Sequence, residues 1–179
     1  MKDIYLYHYL FDATSDLINS ILKNGLLPVD KLPTKWARLH LPQYYARGGK
    51  EYFKKTYQKF FQKALGGKKY INYGVYLTPI NLWGLGLRFK GERVDEFPRI
   101  EIPLKEIDLK SCVLSEKLKR RVRKVPTERI IRNSIKRWTK EKTIKTWKTS
   151  KLRFIKIPQI AYFSKEPLPV TKNMIKYFN

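Results

Sequence analysis

Apolar and polar positions at the start of the chain repeat with a period of two. Across "IYLYHYLF" (4–11), Ile4, Leu6, His8 and Leu10 fall on one side, and Tyr5, Tyr7, Tyr9 and Phe11 on the other. Such a pattern predicts a strand covered on both faces, with His8 on its aliphatic side. The period then changes. Leu17, Ile18, Ile21 and Leu22 recur at helical spacing, Asp12 or Thr14 is placed to cap that helix, and Gly25 behind Asn24 supplies a left-handed stop.

Segment 28–49, with Pro28, Pro33 and Pro42, predicts a long loop, a length that in a compact domain points to function. From Lys50 to Leu65, Tyr52, Phe53, Tyr57, Phe60, Phe61 and Ala64 follow helical spacing, with Lys54, Lys55, Lys59 and Lys63 opposite. "YINYGVYLTP" (70–79) reads as a second strand, and Thr78 is placed to cap a short helix from Pro79 through Trp83. A turn is expected at 91–96 and a third strand at "RIEIPL" (99–104). Ser115 and Thr127 each stand where a basic helix could be capped, the second with Ile130, Ile131, Ile135 and Trp138 on one side. "LRFIKIPQIAYF" (152–163) reads as two strand pieces split by Pro158, and 164–179 as a C-terminal tail. Strands at both ends with helices between predict an α+β class, and 179 residues at 42% apolar predict a single domain, 1–179.

Charge changes this picture. The chain carries 39 Lys and Arg against 15 Asp and Glu, a net +24. Segment 31–69 holds eleven basic residues against one acidic, and 117–156 seventeen against two. Like charges at this density repel, and a polyanion relieves the repulsion. DNA or RNA is the commonest such partner, while a solvated basic surface is the plainer reading. The membrane surface fits less well, because the basic segments are interleaved with aromatics and lack one long amphipathic helix. Candidate phosphate contacts are Arg47, Lys50, Lys54 and Lys55 in the first segment, and Arg120, Arg121, Arg123, Arg129, Arg132 and Arg137 in the second. Trp36, Tyr44, Tyr45 and Trp147 are candidates to stack on bases. No apolar run approaches the roughly eighteen residues of a membrane span, and no basic n-region precedes an apolar block. The single cysteine, Cys112, cannot form an internal disulfide. An intracellular protein, cytoplasmic or nucleoid-associated, is expected.

One Cys and two His do not make a usual zinc site, so no metal is expected. No phosphate-binding glycine loop of the Walker type and no G-x-S-x-G elbow occurs. What remains is a relation between segments: a strand with "YHYL", a helix ending in "ILKNGLLP", and later a strand "YGVYLTP". In this order they resemble the ADP-ribosyltransferase superfamily, whose members open with a His-bearing strand and an "nIlknGL" helix and continue with a "G-V-Y-L-T" strand. "FPRIEIPLKEIDL" (97–109) is similar to the family's middle strand, and "RFIKIPQIAYF" (153–163) to its closing strands.

The resemblance implies a split β-sheet core with peripheral basic helices, and NAD as substrate. It implies that His8 hydrogen-bonds a ribose hydroxyl of NAD, that Tyr76 stacks on the nicotinamide, and that Gly74 and Thr78 border the pocket. An imidazole has the donor for the first role, and a phenol ring the flat face for the second. The plainer readings are a core histidine satisfied by a backbone carbonyl and an ordinary strand aromatic. The sequence departs from the family at its catalytic glutamate: "WKTSKLRFIKIP" puts Ser150 or Lys151 there, and a lysine repels the positive charge that develops in the reaction. Three alternatives follow: Glu141, or else Glu128, serves from a shifted position; the carboxylate is dispensed with; or the fold binds without catalysis. The expected function is NAD-dependent ADP-ribosyl transfer to DNA or RNA, with a protein acceptor left open. The alternative is a non-catalytic, strongly basic nucleic-acid-binding protein on the same fold.

Overall fold

The structure, a computed structural model, describes residues 3–10, 13–28, 31, 74–89, 92–117, 121–149, 157–163 and 166–178. The opening pattern becomes strand β1 (Tyr5–Tyr9), which is followed by helix α1 (Ser15–Asn24). The Thr14 hydroxyl accepts from Leu17 N–H at 3.3 Å to cap the helix, and Gly25, at φ 72°, ends it by donating its N–H to Ile21 O. A β-carbon on Gly25 would lie 2.6 Å from the carbonyl oxygen of Leu168, whose backbone bridges Leu26, so both conformation and space call for glycine.

Two larger antiparallel sheets follow from the remaining strands. In the first, β1 pairs with β5 (Arg99–Pro103), and β5 with β9 (Ile175–Lys176). In the second, β2 (Val75–Leu77), β8 (Gln159–Tyr162), β6 (Cys112–Lys117) and β7 (Arg121–Lys124) lie side by side in that order. The short strands β3 (Arg88–Phe89) and β4 (Glu92–Arg93) pair with each other. One bridge joins the larger sheets: Tyr7 N–H donates to Thr78 O at 2.8 Å, and Thr78 N–H to Tyr7 O at 2.9 Å.

Strand β1 contributes to two apolar layers, as its double-sided pattern predicts, whereas both larger sheets contribute to the first. Leu6, Leu77, Ile100, Ile102, Leu114 and Ile160 share the first layer with Leu17 and Ile21 of α1. Tyr9, Leu82, Leu87, Val94, Trp138 and Trp147 form the second, with Tyr7 packed against it. Helix α2 (Glu128–Arg137) is capped by the Thr127 hydroxyl, as expected, and buries Ile131 in the first layer. Helix α3 (Lys140–Thr149) occupies the stretch whose period the sequence does not define. The class is α+β.

Four local expectations need correction. From Glu92 on, the stretch expected as a turn is strand β4 followed by a 3₁₀ turn at Val94–Glu96, because Glu92 and Arg93 pair with Phe89 and Arg88. Residues 79–83 are not helical: Thr78 Oγ1 accepts from Ile80 N–H at 3.1 Å and Asn81 Oδ1 from Trp83 N–H at 3.0 Å, so each side chain closes a turn of its own. Ser115 caps no helix; it lies in β6, opposite Gln159 of β8 and Arg123 of β7, because "CVL" before it is apolar and pairs centrally in the sheet. Segment 164–179 is more than a tail, since Leu168 bridges Leu26 and β9 extends the first sheet. The expected helix at 50–65, most of the long loop and the first strand piece of 152–156 lie outside the described residues.

Candidate active site and nucleic-acid interface

The Tyr7–Thr78 bridge brings the two sequence motifs into contact. His8 follows Tyr7 on β1, Tyr76 lies in β2 two residues before Thr78, and His8 Nδ1 is 2.9 Å from the backbone oxygen of Tyr76. A carbonyl only accepts, so Nδ1 carries the hydrogen, and in the neutral form of the ring Nε2 is the acceptor nitrogen. His8 and Tyr76 are both half-buried. Val75 and Leu77, on either side of Tyr76, enter the first apolar layer, so the alternation of β2 turns the Tyr76 ring to the other face, whereas the alternation of β1 puts His8 on the side of Leu6, in the first layer; what meets the imidazole is the Tyr76 backbone and not its ring. Gly74 sits at φ 75°, and a β-carbon there would be 2.9 Å from the Phe163 ring and 3.0 Å from Tyr162 O. The fold itself thus fills the space that glycine leaves. Thr78 is buried, with both backbone groups on Tyr7 and its hydroxyl in the Ile80 turn.

Next to this junction lies a cluster that no sequence motif marks. Arg99, buried on β5, stacks its guanidinium 4.5 Å from the Tyr7 ring centroid and 3.5 Å from that of Trp83. The same guanidinium donates to Glu101 and to Asn81 Oδ1, so the buried charge is both paired and hydrogen-bonded. Trp83 is fixed by its indole N–H on Phe97 O at 2.9 Å. The Tyr9 hydroxyl accepts from Leu82 N–H at 2.6 Å; burial pushes its pKa up to about 12, against the opposing pull of that bond and of Arg99. The one signal for this cluster along the chain is Arg99 and Glu101 two apart on a strand, hence on one face.

The carboxylates are placed as follows. Glu141 is exposed in the first turn of α3, its carboxyl held below the usual glutamate range by its own backbone N–H and then by the Thr139 hydroxyl. Glu128, also exposed, accepts from Arg132 Nε at 2.7 Å. Ser150 and Lys151 lie outside the described residues. Glu116 of β6, which belongs to no motif, is 1% exposed and accepts from Ser134 Oγ, Arg137 Nη2 and Trp138 Nε1 at 3.2, 2.7 and 2.8 Å. It shares a strand face with Cys112 and Leu114, an acid at the end of an apolar stripe.

Among the candidate phosphate contacts, Arg129 is exposed on α2, whereas Arg132 and Arg137 have their guanidinium groups on Glu128 and Glu116. Arg123 is half-buried in β7. Arg121 belongs to β7 by its backbone, and Arg47, Lys50, Lys54, Lys55 and Arg120 lie outside the described residues. Other exposed cations lie on the two helices. Lys136 stands seven residues after Arg129 on the same side of α2, and Lys140 and Lys148 are exposed on α3. Trp147 is core, 2% exposed with its indole N–H on Arg88 O, and Trp36, Tyr44 and Tyr45 fall outside the described residues.

Among the described residues, no group of three or more His, Cys, Asp or Glu side chains is arranged to hold a metal ion, and no helix is long and apolar enough to cross a membrane. Compared with protein-family models, curated proteins and solved structures, the chain matches none.

Proposed function

We propose that this protein is an ADP-ribosyltransferase-like enzyme that uses NAD as substrate and DNA or RNA as acceptor. The observation that supports the reading is the junction of two motifs 68 residues apart: the imidazole of the first strand hydrogen-bonds the backbone of Tyr76 in "GVYLTP". The bond to that carbonyl is also what the plainer reading of His8 expects, and it turns the ribose role around: with Nδ1–H on the carbonyl, the neutral ring would meet a ribose hydroxyl through Nε2 as acceptor, the reverse of the donor role expected from the sequence. The Tyr76 ring offers a face to the cationic nicotinamide. In the transfer, the bond from ribose C1′ to the nicotinamide nitrogen breaks with its electron pair leaving on nicotinamide. A nucleophilic atom of the nucleic acid then bonds to C1′ and releases its proton. Arg129, Lys136, Lys140 and Lys148 are among the exposed cations that suit the phosphate backbone.

A second reading, binding to nucleic acid without catalysis, is favoured by the carboxylates. Glu116 is taken by three donors of and beside α2, Glu128 by Arg132, and Glu141 is held at the surface by its own N–H and the Thr139 hydroxyl.

The two readings separate in one experiment. NAD at about ten times its dissociation constant should raise the melting temperature by about 3 °C or more. Incubation with NAD and oligonucleotides should add one ADP-ribose mass to the nucleic acid. His8→Ala and Tyr76→Ala should lower that transfer by about a hundredfold or more, while oligonucleotide binding is unchanged. Neither stabilisation nor added mass, with oligonucleotide binding intact, would decide for the second reading.

A further inference from the structure

The stack around Arg99 does not end inside the protein. Tyr7, the Arg99 guanidinium and Trp83 lie in succession, and the Phe178 ring meets Trp83 edge to face at 5.6 Å. Phe178 is 39% exposed and its neighbour Tyr177 is 55% exposed; among the described residues these are two of the three exposed large apolar side chains. Their base is tied into the fold. Lys176 and Ile175 pair with Arg99 and Ile100 in the first sheet, Arg99 is bonded to Glu101 and Asn81, and Trp83 to Phe97 O. Lys172 and Lys176 are exposed on the same short segment.

We infer that Tyr177 and Phe178 form a stacking step for unpaired nucleobases, extending the internal aromatic and cationic stack to a single-stranded DNA or RNA. The inference rests on the nucleic-acid reading above and adds a strand type and a site to it. Aromatic rings at a surface, flanked by lysines, suit a base whose faces are open and whose phosphate is close by along the same strand. Duplex bases offer no open face except at the ends. A second copy of the chain does not suit the patch, since bodies of net +24 repel.

The test compares full-length protein binding to labelled oligothymidylate, to an abasic strand of equal length and to a duplex, all at one low salt concentration. Oligothymidylate should bind about fivefold or more tighter than the abasic strand, the advantage of at least one stacked base. The double variant Tyr177→Ala, Phe178→Ala should erase that advantage and leave abasic binding as it was. Phe178→Leu keeps an apolar side chain against Trp83 and removes the flat ring, so it should lose part of the advantage with no change in melting temperature. Photocrosslinking to an iodouracil-substituted strand should mark Tyr177 or Phe178. Equal affinity for oligothymidylate and abasic strand, or variants that keep the full advantage, would overturn the stacking step while the nucleic-acid reading stands. No binding to any of the three would overturn that reading and the step with it.

Discussion

Cys112 is fully buried in β6 with its Sγ 3.5 Å from Asp108 O, and burial pushes its thiol up to about 12, with the charge of Asp108 adding to the shift. The thiolate is the reactive form, so at neutral pH the side chain behaves as a small apolar group. Iodoacetamide at pH 8 should leave the mass of the native protein unchanged and add one adduct after denaturation. Rapid modification of the native chain would mean that β6 opens readily. No motif around Cys112 points to chemistry, and its burial supplies the physical reason. The contact of His8 with the backbone of Tyr76 joins two short motifs whose order along the chain is recognisable. The meeting of Arg99, Asn81 and Trp83 is not legible there, because it depends on a turn at 79–83 and a strand pairing that no local pattern encodes.

Among the elements, the clearest case is the attachment of α2 to β6. Its helix period and Thr127 cap are readable along the chain. The hairpin before it is not, since "SEKLKRRVRK" alternates too weakly to announce β6 and β7, and it is β8 and α2 that hold this segment. Glu116 ties the two together by accepting from Ser134, Arg137 and Trp138. Glu116→Ala would leave the buried Ser134 hydroxyl and Trp138 indole without this acceptor, at about 1–3 kcal/mol each. For a domain of this size the melting temperature should drop by at least about 4 °C. Glu116→Gln retains an acceptor at Oε1 and should lose less. Differential scanning calorimetry of the two variants measures both, and an Ala variant as stable as the parent would show that α2 is held by its apolar face alone.

At the scale of the whole molecule, the net charge of +24 is the feature that composition makes plain and that folding sorts. Arg132 and Arg137 pair with carboxylates and Lys142 lies 4.6 Å over the Trp138 ring, so part of the second basic segment serves to hold the helices. Arg129, Lys136, Lys140 and Lys148 remain on the surface. Composition counts all these cations alike; only the pairing tells them apart. Each phosphate of a single strand that a cation neutralises steepens the fall of log affinity with log salt by about 0.7. Replacing those four exposed residues with alanine should therefore flatten the slope by as much as about 2.8, without lowering the melting temperature. Arg137→Ala should do the reverse, because Glu116 loses its cation at the base of α2 while the exposed face keeps its charge. A salt titration of oligonucleotide binding beside a melting curve reads both effects, and a quadruple variant with the parent slope would shift the interface to the basic segment 31–69.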